Sequence, residues 1–148
     1  MRTNYFLSIV LSLMLAACGK EKSATPVVSE KMKLLTEKEW VVVKAEEKIG
    51  SAIWEDLFPQ FPLCIKDNRF KFNTNLTVLY SEGLNACTPN KPNDVIDTQT
   101  WKFNANETEI IIDDVVHKII QLDASKLIAV TTETIGGVTN ENKATYGH

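Results

Sequence analysis

Histidine is nearly missing from this 148-residue chain: there are two, and the second, His148, is the last residue. A zinc site takes three or four nitrogen or sulfur ligands. With three cysteines that have other expected uses, no such set is available, and no metal is expected. Glycine is scarce as well, at 6 residues, and no glycine-rich loop is present to cradle a phosphate. No serine sits in a nucleophile elbow, and no acidic pair has the spacing of a glycosidase. Asp113-Asp114 and Asp123 fall in turn positions where aspartate bonds its own backbone, so they do not suggest calcium. Nor is there an excess of positive charge: 16 Lys and Arg stand against 19 Asp and Glu. Nucleic acid, which demands a basic face, is therefore not an expected partner. The chain is expected not to be an enzyme and to carry no cofactor.

What is present begins at the N-terminus. Arg2 precedes an apolar run from Tyr5 to Ala17, too short to span a bilayer, and Leu15-Ala16-Ala17-Cys18 closes it. This is the layout of a secretory signal, and its cysteine placement resembles the lipobox of bacterial lipoproteins. The resemblance implies cleavage before Cys18 and acyl chains, such as palmitate, on its sulfur and amine. Two or more chains anchor a protein stably where one does not. Gly19, in place of the aspartate that retains many such proteins at the inner membrane, implies the outer membrane of the cell envelope. An ordinary signal peptide that ends near a cysteine is the alternative. Residues 1–17 are thus read as the leader and 18–33 as a polar, aperiodic tether. Residues 34–148 form one domain with one core. Loss of Arg2 with the leader takes the formal charge from −3 to −4.

Export leaves Cys64 and Cys87 in an oxidising compartment, where a disulfide persists and only one pairing is possible. Two free thiols are the alternative. No CxxC spacing suggests a redox-active pair.

From Trp40 onward the sequence reads as short strands. Trp40 to Ala45 is β-branched and aromatic. Phe70 and Phe72 alternate with Arg69 and Lys71, and Leu76, Val78 and Tyr80 follow the Asn73-Thr74-Asn75 turn, so these runs predict a hairpin. Cys64 and Cys87 flank it, and a bulge at Gly83 would bring them level. Further runs cover 98–104, 107–113, 115–122, 126–132 and 142–146, separated by turn residues that include Gly136-Gly137. About eight strands, with no helix long enough for a parallel crossover, predict an all-β antiparallel meander closed into a barrel. One segment differs. Ile53, Trp54, Leu57 and Phe58 recur at helical spacing after Ser51, predicting a short helix after the first strand that Pro59 and Pro62 end. Trp54, Phe58 and Phe61 would then cover the barrel mouth, as a plug that completes the core or as a lid over a ligand.

Trp40, the stretch Cys64-Ile65-Lys66-Asp67-Asn68 before a strand ending in Phe72, the Asn73-Thr74-Asn75 turn, Cys87, and Trp101 opening a later strand together resemble the lipocalin-like domains of bacterial lipoproteins. Such domains often carry an Asn-Gly-Thr turn where this chain has Asn75-Leu76-Thr77.

Two functions follow from this reading. In one, the barrel binds a small lipophilic ligand among Trp40, Phe70, Phe72, Tyr80, Trp101 and Phe103, with Lys118 as a polar anchor for a carboxylate. In the other, it is a non-catalytic scaffold that presents loops to an envelope protein partner. The same aromatics would equally fill a solid core.

Overall fold

The computed structural model describes residues 28–148; the leader, Cys18 and the first part of the tether lie outside the described residues. The described residues open on helix α1, Glu30–Glu37, whose start is capped by Ser29: its hydroxyl accepts the Met32 N–H at 3.0 Å. The helix thus takes in residues 30–33, which composition alone assigns to the tether. Met32 and Leu35 lie three apart on one face, and both pack into the barrel end.

Strand β1, Trp40–Ile49, is followed by the two-residue β2, Glu55–Asp56. Then come β3, Arg69–Phe72; β4, Thr77–Ser81; β5, Val95–Phe103; and β6, Glu109–Ile112. The last three are β7, Val115–Leu122; β8, Leu127–Ile135; and β9, Val138–Gly147. Each of β3 to β9 pairs antiparallel with its sequence neighbour, and β9 returns to pair with β1 from Val41 to Ile49. Strands β1 and β3–β9 therefore close an eight-stranded up-and-down barrel, the architecture of the lipocalins, with β2 as a short extra piece. Closure gives every strand of the ring a partner on both sides, although β1 meets β3 only at Trp40 and Val41. The predicted hairpin is in register, with Phe70 opposite Tyr80 and Phe72 opposite Val78. Its turn forces Leu76 into the left-handed region at φ 65°, a conformation that glycine adopts without strain. Gly136-Gly137 and Asp113-Asp114 are two-residue hairpin turns with both φ values positive.

The helix predicted over residues 51–58 does not form. Strand β3 leaves β1 after Val41, so the next stretch of the β1 edge is open. The chain fills it instead: Glu55 and Asp56 pair with Glu47 and Glu46, and the Leu57 N–H donates to the Ala45 carbonyl at 2.8 Å. Satisfying that edge outweighs a one-turn helix ended by proline. A short helix does follow the first strand, but it is α2, Leu63–Lys66, after a 3-10 turn at Phe58–Gln60.

Plugging the barrel falls to α1. Leu35 is fully buried among Trp40, Phe72, Val78, Trp101 and Ile110, and the Trp40 indole N–H donates to the Leu35 carbonyl at 2.9 Å. Trp101 stands edge-on to Phe72 and Phe103, 5.4 Å from each, and its indole N–H is shared by the Asn73 and Thr77 carbonyls. Both buried indoles thus have partners for their one polar group.

The other end carries the Cys64–Cys87 disulfide, with Cα atoms 5.0 Å apart. Around it is a buried polar knot. Asn68 donates to the Tyr80 hydroxyl at 2.7 Å and accepts the Gly83 N–H, while Glu82, 1% exposed, accepts the Cys87 N–H and the Asn90 amide. At Gly83 a Cβ would lie 2.2 Å from the Asp67 carbonyl oxygen, so a side chain has no room there. The β3–β4 ladder ends at Arg69 opposite Ser81 with no shift, so Gly83 lies beyond the hairpin rather than in a bulge of it.

Candidate ligand cavity

Eight strands leave an interior that side chains can fill or that holds one small ligand, and residue size decides which along the barrel axis. Near α1 the inward positions carry tryptophan, phenylalanine and leucine. Further along, Ala45, Ala144 and Ala129 lie directly opposite one another on β1, β9 and β8. Three methyl groups in one row leave a space of about 300 Å³, roofed on the open side by Leu57 and Phe61. A second space of about 300 Å³ adjoins it, between Phe70 and Tyr80 on one wall and Ile112 and Val115 on the other. His117 and Tyr146 border both.

The aromatic wall is ordered. Phe70 stacks on Tyr80 with ring centres 4.8 Å apart and meets Tyr146 edge-on at 5.5 Å. Tyr146 lies so deep that burial pushes its phenol up to about 12. Burial also lowers His117 below the usual histidine value, which favours the neutral ring. Neither the His117 ring nor the Tyr146 hydroxyl makes a hydrogen bond among the described residues, and both residues line the two spaces.

The sequence-derived pocket residues separate into two groups. Phe70, Phe72 and Tyr80 line the second space. Trp40, Trp101 and Phe103 belong to the packed end, where they complete the core rather than a cavity. Lys118 is misplaced by the sequence reading. It is exposed, opposite Glu109 and Val130 on the outer face, and anchors nothing inside. Its neighbour His117 points inward instead, because it lies opposite the buried Ile110. The register shift between Ile119 and Gln121 lets Ile119 and Leu122, three apart, both pack against the core, while Val116 and Ile120 on the Lys118 face are exposed.

Of the expected lid, Phe61 alone borders the cavity. Trp54 lies against the outer face, with the Lys143 and Lys48 ammoniums 4.1 and 5.1 Å from its ring centre. Phe58 packs edge-on against Phe61 and under Lys66. Sequence reasoning missed the alanines and Tyr146. Small residues at alternate strand positions are the signal for a hollow lumen, yet they mark one only once the strand register is known.

No protein-family model matches the chain, and no curated protein sequence matches it. Among solved structures the chain is similar to a bovine odorant-binding protein, a deswapped triple mutant. The match spans 75% of this chain and 72% of that one, at 16% identity and a TM-score of 0.41. The two share little sequence and superpose only loosely.

Proposed function

We propose that this protein is a lipid-anchored lipoprotein of the bacterial cell envelope, held at the outer membrane through acylated Cys18, whose barrel binds a small lipophilic ligand and catalyses no reaction. The observation that carries the binding half is the hollow between the alanine row and the Phe70–Tyr80 wall, whose exposed surface is mostly apolar with polar groups at its border, the usual form of a small-molecule site. The anchoring half rests on Leu15-Ala16-Ala17-Cys18 after an apolar leader.

Native mass spectrometry of the gently purified chain, followed by solvent extraction, tests the first half: a stoichiometric small molecule supports it. A chain that stays empty when challenged with a panel of lipophilic compounds refutes it. Membrane fractionation tests the second. Cys18→Ala is expected to abolish acylation and release the protein, and retention through high-salt and carbonate washes refutes the anchor. A filled interior would favour the scaffold reading, and the open half of the barrel supplies no such support.

A further inference from the structure

The groups that border the hollow set the chemistry of what fits it. Its polar side chains are neutral: His117, Tyr146, Gln99, Thr131 and Asn142. Of the charged side chains that line it, Lys143, Glu46 and Asp113 are already engaged; Glu47, on the inner face opposite Asn142, lies past the lining toward the open end. Strand alternation puts Lys143 and Glu46 on the outer face, where they pair at 3.0 Å and Lys143 also faces Trp54. Asp113 accepts the Thr100 N–H at 2.9 Å and the Thr100 hydroxyl at 2.8 Å. A ligand carboxylate would meet no unpaired cation there and would lie near two carboxylates. A ligand ammonium would have to displace Lys143 from Glu46 or Thr100 from Asp113. Either ion would give up its water for little return.

We propose that His117 and Tyr146 together hold the polar group of the ligand, and that the ligand is an uncharged amphipathic molecule with a hydroxyl, carbonyl or amide at one end of an apolar body. The proposal rests on the ligand-binding reading above. A neutral imidazole offers one donor and one acceptor, and a phenol offers a donor and an acceptor lone pair. Between them they can satisfy an alcohol or a carbonyl without any charge. Leaving such groups unpaired once a ligand seals them from water is costly, so a ligand that pairs them is favoured over one that does not. Burial, which lowers the histidine and raises the tyrosine, keeps both in the neutral form at ordinary pH.

The test uses the full chain, purified and stripped of detergent and lipid, with the neutral fluorophore N-phenyl-1-naphthylamine in the barrel. Decanol, decanoate and decylamine then compete for it at neutral pH. Decanol is expected to displace the fluorophore at a concentration at least about tenfold below either ion, as the cost of burying an unpaired charge requires. Tyr146→Phe, which removes one oxygen and no volume, is expected to weaken decanol by about two- to tenfold while leaving the fluorophore within about twofold, the range for one hydrogen bond. Decanoate or decylamine competing as well as decanol overturns the proposal, as does a Tyr146→Phe change that weakens all three competitors equally; both outcomes leave the ligand-binding reading standing. A wild-type chain that does not take up the fluorophore sinks the ligand-binding reading, and this proposal with it.

Discussion

The plugged end of the barrel and its open end are built from the same strands, yet one is solid and the other hollow. Along β1 the inward residue is Trp40 at the plug and Ala45 further on; along β8 Leu127 gives way to Ala129, and along β9 Tyr146, at the boundary between the halves, gives way to Ala144. The backbone is continuous through both halves, so the ladder carries the fold while side-chain volume decides what the interior is for. The two ends are also closed by different means. At the plug, α1 supplies Leu35 and Met32 to an apolar core. At the mouth a disulfide and hydrogen bonds to Asn68 and Glu82 hold loops that bury little apolar surface.

Five changes would break or sharpen this contrast. Trp101→Ala removes a buried indole from the solid half and is expected to cost about 3–5 kcal/mol in urea unfolding. A smaller loss would mean that the plug end is looser than its contacts imply. Cys64→Ser with Cys87→Ser opens a 23-residue separation and is expected to cost about 3 kcal/mol in the chain-entropy model. Hydrogen exchange should then rise in residues 58–68 and 82–94 and stay slow in α1, whereas uniform loosening would show that the two ends are not independent. Ala144→Leu is expected to change stability by less than about 1.5 kcal/mol, because its added carbons enter a void. The same change should abolish fluorophore uptake, and retained uptake would relocate the site. Leu76→Gly relieves a left-handed leucine at the plug-end turn and is expected to add about 1 kcal/mol, visible as a raised midpoint.

The smallest effect is that of acid. The native state holds His117 below its ordinary value, so the unfolded chain binds more protons as pH falls through the mid-6 range. Stability should therefore decline below about pH 6.5, where an unfolded histidine titrates, and His117→Phe should remove that part of the decline. A profile identical in wild type and variant would show that the ring is not in the desolvated hollow.

The β hairpin at Arg69–Ser81, the turns at Asp113-Asp114 and Gly136-Gly137, and the pairing of Cys64 with Cys87 were all legible in the sequence. Each depends on neighbours in the chain or on a count that leaves one solution. The helix predicted over Ser51–Phe58 failed where a non-local partner competed for the same residues: the β1 edge left open by a short β3. Lys118 failed for a related reason, since a one-residue choice of register moves every side chain of a strand to the opposite face.

The sequence by itself determined that this chain is a run of short antiparallel strands, that their aromatics make a core, and that two cysteines staple one end. Alternation, turn chemistry and composition act over a few residues and need no fold to be read. Only the tertiary structure decided that α1 is the plug, and that Ala45, Ala129 and Ala144 meet in one row beside His117 and Tyr146. A hollow is an absence of side-chain volume at positions far apart in the chain. It exists only once the register has brought those positions together.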